Sequence, residues 1–478
     1  MRTVTQLRLS LLFLATILTG VSSTQSGLAD LLSPHTQADY VIITTETLVP
    51  AMQPLASFRS SNNGFSVLTI TTEEIYNTFG QGIPVDSAIK EFVTFSLRYW
   101  EDPKPQFFLL AGNVNIVPSH KEPGLEVIDE DSIMVDQWFV EGLPDTSGNL
   151  RPGAAIGRLP GWDSTQLATM VAKTIVYESM SDSIWFARSI VVADYETDIG
   201  NIYEVQSDSV QKILSTAWGD TVTVHIRESS PLHLPREEFR GLVNEGAALV
   251  SFMGYHEWYF FSESHYFTTW DVDSLSNSQR FPFWFFGSSQ RFEKEDTLAI
   301  AVNLMRTVNK GAVGSIGPTG STFAISHFDF LADLINEMVI HPERPIGTSF
   351  LTVKRLSSIR GYRIVALLSD PALVLRSSAV TGVMDSLPPI PSEVWLHQNY
   401  PNPFNPTTTI RFSIPSSGEV SLKIFNLLGE EVTRLVSGQM DAGMHTVQWD
   451  ATGQPSGVYF YRLRAGEFVE TRKLILMR

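Results

Sequence analysis

Short apolar runs alternate with amphipathic stretches from residue 38 onward. A short, continuous apolar run is typical of a strand buried on both faces, and an apolar stripe at helical spacing indicates a helix. The segments in chain order are "DYVIITT", "LVPAMQPLASFRSSN", "GFSVLTITT", "SAIKEFVTFSLRYWED" and "QFFLLAG". Strand, helix, strand, helix, strand at this spacing predicts a parallel sheet covered by helices.

A second series of apolar runs begins at Ser189. Its segments are "SIVVAD", "TVTVHIRE", "AALVSFMG", "FPFWFFGSS", "GAVGSIG" and "YRIVALLSD". Together the two series predict an α/β fold with two side-by-side α/β sandwich subdomains, residues 38–180 and 181–380, whose sheets are parallel or mixed.

The pattern changes after residue 380. Prolines and a loss of periodicity in "VTGVMDSLPPIPSEV" indicate a linker over residues 381–394. Residues 395–478 alternate apolar and polar positions between glycine turns, which predicts a small immunoglobulin-like β-sandwich. Val420, Leu422 and Ile424 would then face one way, into its core.

Composition and charge narrow the function classes. The 478 residues are enough for two or three cores, and 51 acidic against 34 basic residues give a net charge of −17, which disfavours nucleic acid and anionic lipid as partners. Cysteine is absent, which excludes disulfides, thiolate zinc sites and a cysteine nucleophile. The glycine-rich "GAVGSIGPTG" lacks the lysine of a phosphate loop and does not fit the dinucleotide fingerprint, so no cofactor is predicted.

The N-terminus has the layout of a secretory signal peptide. Arg2 and Arg8 precede an apolar run from Leu9 to Leu18, and small residues end at Ser23. We predict a signal peptide over residues 1–23, because the run is shorter than the ~20 apolar residues of a spanning helix. No other segment is long and apolar enough to span a membrane, so the mature chain is expected to be soluble outside the cytoplasm.

The last 84 residues resemble the C-terminal sorting domain of proteins exported by the type IX secretion system. The matching segments are "LHQNYPNPFNPTTTIRFSIP", "KIFNLLGEEV", "GMHTVQWDA", "SGVYFYRL" and "ETRKLILMR", within residues 395–478. The resemblance implies recognition by the type IX machinery at the outer membrane and a final place on the cell surface or in the medium. The alternative is an ordinary immunoglobulin-like domain with an adhesive role.

Residues 38–376 resemble the catalytic domain of the gingipain family of cysteine peptidases. The similar segments are "YVIITTETLVPAMQPLASFRSSNNGFSVLTITTEEIYNTFG", "QFFLLAGNVNIVPS", "DQWFVEGLPD", "AAIGRLPGWDSTQLATMVAKTIVYE", "LVNEGAALVSFMG" and "LLSDPALVLR". The resemblance implies a caspase-like fold, whose catalytic dyad follows two strands: His-Gly after one and Cys after the next. Residues beyond the carboxyl ends of parallel strands lie in the crevice where ligands bind.

Both dyad positions are altered in this chain. By the resemblance, the family's Gly-His-Gly falls on Gly254, Tyr255 and His256, so Tyr255 stands at the histidine position. The family's cysteine falls on Ser289, next to Ser288, at the end of "PFWFFGSS". A tyrosine with an ordinary pKa of about 10 is a poor general base at neutral pH.

His256 is open to three interpretations. The favoured one is a residual loop histidine without chemistry. Alternatively, His256 would act as the base for Ser288 or Ser289, because its separation of 33 positions from Ser289 is compatible with the dyad spacing that the resemblance implies. No acid that would orient His256 can be assigned, because the adjacent Glu257 would point to the other side of an extended backbone. The weakest interpretation is a metal ligand shared with His265 or Glu263, a spacing that matches no common site.

Aromatic residues are dense around these positions. Phe283 and Phe285 fit a buried strand, whereas Trp258, Tyr259 and Trp270 lie beyond the strand and are candidates for a platform that binds a peptide or a sugar ring. The sequence therefore favours a secreted gingipain-like protein that is catalytically inactive and binds peptides or glycans at the cell surface. The alternative is an active peptidase that uses a dyad of Ser289 and His256.

Overall fold

The structure is a computed structural model that divides the chain into two compact units, residues 1–380 and 381–478. The predicted signal peptide and linker lie outside the residues that it describes, apart from Val394. Those residues are 30–123, 132–144, 150–180, 184–195, 202–218, 220–226, 228, 230–254, 256–257, 259–287, 290, 292, 299–320, 324–356, 363–376, 394–396, 399, 402, 404–414, 416–440, 443–466 and 468–477.

In the residues that the structure describes, the first unit contains two large sheets and three small antiparallel sheets. Its strands in the described residues are β1 (Tyr40–Thr44), β2 (Val67–Thr71), β3 (Phe107–Ala111), β4 (Lys121–Pro123), β5 (Ser132–Met134), β6 (Glu141–Pro144), β7 (Leu150–Pro152), β8 (Ala155–Leu159), β9 (Arg188–Ala193), β10 (Asp220–His225), β11 (Leu249–Met253), β12 (His256–Glu257), β13 (Phe260–Phe261), β14 (Phe267–Thr268), β15 (Phe283–Phe286), β16 (Gly314–Pro318) and β17 (Val365–Leu368).

Helices cover these sheets. In the described residues they are α1 (Val49–Asn63), α2 (Thr72–Phe79), α3 (Asp86–Tyr99), α4 (Ser164–Ser179), α5 (Ile202–Ala217), α6 (Arg236–Glu245), α7 (Thr269–Ser274), α8 (Ile300–Arg306), α9 (Ala324–Ile340) and α10 (Ile346–Leu356). Local signals start some of them: Thr71 and Glu74 form a capping box at α2, and Asp163 accepts from the Gln166 N–H at α4. Within the part of the chain that the structure describes, no helix combines the length and apolar character needed to cross a membrane.

The first sheet has the order β2-β1-β3-β8, and its pairings are parallel. The central strand β1 is buried along its whole length. Tyr40 and Ile42 belong to one core cluster, whereas Val41 and Ile43 belong to another. Alternate side chains of β1 therefore enter cores on opposite faces, which explains why this strand is apolar throughout.

The second sheet has the order β10-β9-β11-β15-β16-β17. Its pairings are parallel except for β16 with β17, which is antiparallel. The predicted α/β fold with parallel or mixed sheets is thereby confirmed. Gly157 in β8 of the first sheet shows the close contact with the segment after β17, because a Cβ there would lie 2.4 Å from the Ser369 carbonyl oxygen.

A buried ionic network also joins the two sheets. The fully buried Arg59 in α1 donates to both Asp370 Oδ2 and Glu178 Oε2, at 2.8–2.9 Å and 2.6 Å. The Tyr40 hydroxyl in β1 donates to Asp370 Oδ1 at 2.8 Å. Burial alone would lower the pKa of Arg59, but the carboxylates of Asp370 and Glu178 outweigh it and raise that pKa above its ordinary value. The segment that follows β17 is thus held to the first sheet by a cation that stays charged.

The second unit is an antiparallel β-sandwich of sheets β18-β19-β22 and β21-β20-β23-β24. Val420, Leu422 and Ile424 are buried in its core, as the alternation predicted. Its strands in the described residues are β18 (Trp395–Leu396), β19 (Thr407–Ile414), β20 (Gly418–Phe425), β21 (Glu431–Met440), β22 (Gly443–Asp450), β23 (Gly457–Ala465) and β24 (Phe468–Leu476).

Candidate functional site

The candidate site lies where β11 and β15 end. These strands pair in parallel, with Phe252 opposite Phe286. Their carboxyl ends therefore meet at one edge of the sheet, and Gly254 and Gly287 follow directly. The two strand ends are therefore adjacent, and this edge is where ligands bind in parallel α/β sheets.

Glycine is required on both strand ends because the chains approach closely. A Cβ at Gly254 would lie 2.3 Å from the Asp194 Cβ, and one at Gly287 would lie 2.8 Å from both the Met253 Sδ and the Phe252 oxygen. The Gly287 N–H donates to that Phe252 oxygen at 2.8 Å. The two segments thus leave the sheet along a tightly packed path.

The predicted dyad positions lie largely outside the described residues. Tyr255, Ser288 and Ser289 are outside the residues that the structure describes, and so is Trp258 of the predicted platform. His256 is placed by its backbone in β12, opposite Phe261 in β13, and its side chain is outside what the structure describes. The three interpretations of His256 accordingly stay predictions.

Gln290 anchors the chain just after the serine pair. Its Nε2 donates to the Gly317 and Ala366 oxygens at 2.9 and 2.8 Å, and its Oε1 accepts from the Ser315 hydroxyl at 2.9 Å. The side chain is buried between β16 and β17. The position that follows Ser289 is therefore fixed to the sheet, an anchor that sequence analysis missed because a lone glutamine carries no pattern.

An insertion between β11 and β15 covers the carboxyl halves of both strands. It forms the small sheet β12-β13-β14 followed by α7. Phe261 stacks on Phe252 with ring centroids 4.1 Å apart and contacts Phe286 at 5.8 Å. The insertion is thus attached by its apolar face to the two strands that precede the predicted dyad positions.

Two of the predicted platform residues come together on this insertion. The Tyr259 and Trp270 rings are 6.5 Å apart and nearly perpendicular, at 80°. The Thr269 N–H donates to the Tyr259 oxygen at 2.9 Å, which holds the two segments together. Trp270 is 59% exposed and Tyr259 is half-buried. The pair therefore presents aromatic surface to solvent, and the edge-to-face contact between the two rings stabilises their arrangement.

Buried polar contacts fix the turn that carries Trp270. The Thr268 N–H and hydroxyl donate to the Asp271 carboxylate at 2.7 and 2.8 Å. Arg236 and Arg240 of α6 pair with the same carboxylate at 2.5 and 3.1 Å. Asn303 of α8 donates to the Thr269 hydroxyl at 2.6 Å. The indole is thus carried on an ordered support, as a binding platform requires.

The remaining predicted residues do not form a metal site in the part of the chain that the structure describes. Glu263 and His265 are exposed, and the His265 ring packs on Phe260 with centroids 4.2 Å apart. Groups of three or more His, Cys, Asp or Glu side chains that could hold an ion are absent among the described residues.

A polar cluster without a signal in the sequence lies at the carboxyl end of β10, the outer strand of the same sheet. His225 ends β10, and its Nδ1 lies 2.7 Å from the Ser230 hydroxyl and 3.4 Å from Glu204 Oε1. All three side chains are buried, and the Leu232 N–H donates to the Ser230 hydroxyl at 3.2 Å. Serine and acid both face the same ring nitrogen, so the cluster supports the loop after β10 and lacks the order of a catalytic triad.

Comparisons with known families cover both units. Residues 33–376 match the model described as Peptidase family C25. Residues 398–477 match the model described as Secretion system C-terminal sorting domain. No curated protein matches the chain. Both resemblances that the sequence carries are confirmed by these matches.

Solved structures with the same fold include peptidases. The crystal structure of the Arg specific cysteine proteinase gingipain R (RGPB) gives a TM-score of 0.60 at 16% identity, covering 96% of this chain and 100% of that chain. The complex of Porphyromonas gingivalis RgpB pro- and mature domains gives 0.59 at 15% identity, covering 92% and 100%. A third, "Structure of Protease", gives 0.57 at 13% identity, covering 93% and 98%. At these identities the likeness shows the fold alone.

Proposed function

The chain belongs to peptidase family C25, and we propose that it is a member without peptidase activity, which binds peptides or glycans outside the cell. The observation that carries the proposal is the absence of cysteine from all 478 residues. A similar solved structure is that of a cysteine proteinase. Without a thiol, the chain cannot form the thiolate that attacks the substrate in such enzymes.

The family resemblance supports the loss of the second dyad member as well. It assigns Tyr255 to the histidine position, and a phenol with its ordinary pKa of about 10 does not accept a proton well at neutral pH. A hydroxyl at Ser289 also ionises far less readily than a thiol, so it needs a well-placed and oriented base. Loss of both partners fits a site released from catalysis.

The aromatic pair supports binding. Tyr259 and Trp270 lie on the insertion that packs over β11 and β15. The Trp270 side chain is exposed to solvent and is not part of an apolar core. Exposed rings on an ordered support suit stacking against a peptide side chain or a sugar ring. We place the ligand at this pair, next to the strand ends that would hold the family's dyad.

Peptide and glycan arrays test the binding role. The mature chain, residues 24–478, is screened, and the best ligand is titrated against Trp270→Ala and Tyr259→Ala. Tyr99→Ala serves as the matched control, because Tyr99 is an exposed ring on α3. We expect the affinity to fall roughly tenfold or more in the two site variants and to stay unchanged in the control. Equal binding by all four proteins, or no binding to either array, would contradict the proposal.

We further propose that residues 395–478 direct export to the cell surface or the medium, through the machinery that reads the sorting domain. The match to a secretion system C-terminal sorting domain supports this role. The domain has its own core and forms a separate compact unit, which suits a signal recognised as a folded module. In a host with type IX export, deletion of residues 395–478 should leave the protein in the periplasm; normal surface delivery would refute the role.

A further inference from the structure

The hairpin between β20 and β21 presents two adjacent leucines to solvent. Leu427 is 69% exposed and Leu428 is 83% exposed. In the described part of residues 394–477, no other large apolar side chain is as exposed; Val469 and Met477 follow at 56%. Removal of a leucine side chain from water is favourable. Leu427 and Leu428 therefore form a small exposed apolar surface, called the knob below.

The turn that carries this knob is ordered by one side chain. Asn426 Oδ1 accepts from the Leu428 and Glu430 N–H groups at 2.9 and 3.0 Å. Its backbone N–H donates to the Glu430 oxygen at 3.0 Å, and the Gly429 N–H donates back to the Asn426 oxygen at 3.0 Å. Gly429 adopts φ 80°, a conformation that glycine takes without strain. The backbone geometry of the turn thus depends on Asn426 and Gly429. The leucine side chains make no contribution to these hydrogen bonds.

The fold does not use the two leucines. The core of this unit is formed by residues of both sheets, and neither Leu427 nor Leu428 belongs to it or packs against it. A turn of this kind is usually polar, since turns lie in water. The leucines therefore point to a partner that buries them.

The charges beside the knob indicate the chemistry of that partner. Glu431 pairs with Lys423 and Arg434 at 2.6 and 3.1 Å, so its charge is compensated within the hairpin. Glu430 is exposed and accepts from the uncharged Asn426 amide at 2.8 Å. The two acids and the two bases beside the turn cancel, so the knob has no net positive charge with which to bind an anionic lipid surface, and an apolar pocket on a protein suits it better.

We propose that Leu427 and Leu428 insert into an apolar pocket on a protein of the secretion machinery. This inference rests on the proposed export role of residues 395–478. The ordered turn lowers the entropic cost of binding, and removal of the two leucine side chains from water favours the contact. Val469 lies at the opposite end of the same sheet and so provides a control position. Phe425, next to the turn, pairs with Phe460 near the start of β23, whereas Val469 pairs with Arg464 near the end of β23.

The test compares three full-length proteins in a host with type IX export. They are the wild type, the double variant Leu427→Ser with Leu428→Ser, and the control Val469→Ser, which removes an exposed apolar side chain at the other end of the sheet. Surface, medium and periplasmic fractions are quantified by immunoblot. We expect roughly a 30-fold drop in the exported fraction of the double variant and wild-type export of the control.

Stability and lipid binding separate this inference from its rivals. Thermal unfolding of the purified double variant should match the wild type, because the leucines lie outside the core. Export of the double variant at the wild-type level, while deletion of residues 395–478 blocks export, would overturn the inference and leave the export role standing. Export of the deletion variant would overturn both. Wild-type binding to phosphatidylglycerol vesicles that the double variant loses would assign the leucines to lipid and also overturn the inference.

Discussion

Arg59→Met is expected to destabilise the first unit strongly. Arg59 and Asp370 are both fully buried and joined by two hydrogen bonds at 2.8–2.9 Å. The variant leaves the Asp370 carboxylate with neutral donors, the Tyr40 hydroxyl and the Ala372 N–H, both at 2.8 Å. A buried charge without its partner costs about 3–5 kcal/mol, whereas an exposed pair contributes about 0–1 kcal/mol.

Urea unfolding followed by tryptophan fluorescence measures the loss. Eight of the ten tryptophans precede residue 381, so the signal reports mainly on the first unit. Arg188→Met is the matched control, since the Arg188 pair with Glu245 at 2.7 Å is partly exposed. We expect the control to stay within about 1 kcal/mol of the wild type.

A double variant tests whether Arg59 and Asp370 act as a pair. Asp370→Asn keeps the shape and removes the charge, and its combination with Arg59→Met should cost less than the sum of the two single changes. The expected coupling is about 1–3 kcal/mol. An Arg59→Met midpoint no lower than that of Arg188→Met, or strict additivity in the cycle, would refute this account of the network.

Three further predictions concern the first unit. Burial lowers the pKa of Lys173 from 10.5 to about 7, so the unfolded chain binds the proton more tightly than the folded chain does. Between pH 7 and 10.5 the stability of the wild type relative to Lys173→Met should therefore rise with pH, by at most ~1.4 kcal/mol per pH unit. Thermal melts of the two proteins across this pH range measure the difference. Gly254→Ala places a Cβ 2.3 Å from Asp194 and should cost about 1–3 kcal/mol in urea unfolding, whereas Gly241→Ala, with open space in α6, should be neutral or stabilising. Asp271→Asn removes the charge that holds Arg236 and Arg240, so hydrogen exchange of residues 266–275 should accelerate, and unchanged exchange would argue against the ordered support.

The strands that carry the site were predictable because they are buried on both faces. Val250 and Phe252 enter one core, and Leu249 and Met253 enter another, so β11 reads as a continuous apolar run. The antiparallel direction of β17 was not predictable, because an apolar strand looks the same in either direction. The two-residue strands β12, β13 and β14 were missed, since such short strands contain no measurable period.

Parts of the site depended on tertiary contacts that no local pattern encodes. Tyr259 and Trp270 were each candidates from the sequence, but their contact arises from the turn between β13 and β14 and from the start of α7. Asp194 lies about 60 residues before Gly254 along the chain, and only the pairing of β9 with β11 brings the two together. The Gln290 anchor likewise depends on oxygens of β16 and β17.

Peptide hydrolysis is the most direct test of the claim that the chain has no peptidase activity. Residues 24–478 are incubated with a diverse quenched-fluorescence peptide library, alongside Ser289→Ala and His256→Ala. We predict that the wild type shows no turnover above that of either variant, because the cysteine is absent and the family resemblance assigns Tyr255 to the histidine position. Turnover by the wild type that disappears in both variants would reveal a working serine dyad and contradict the account.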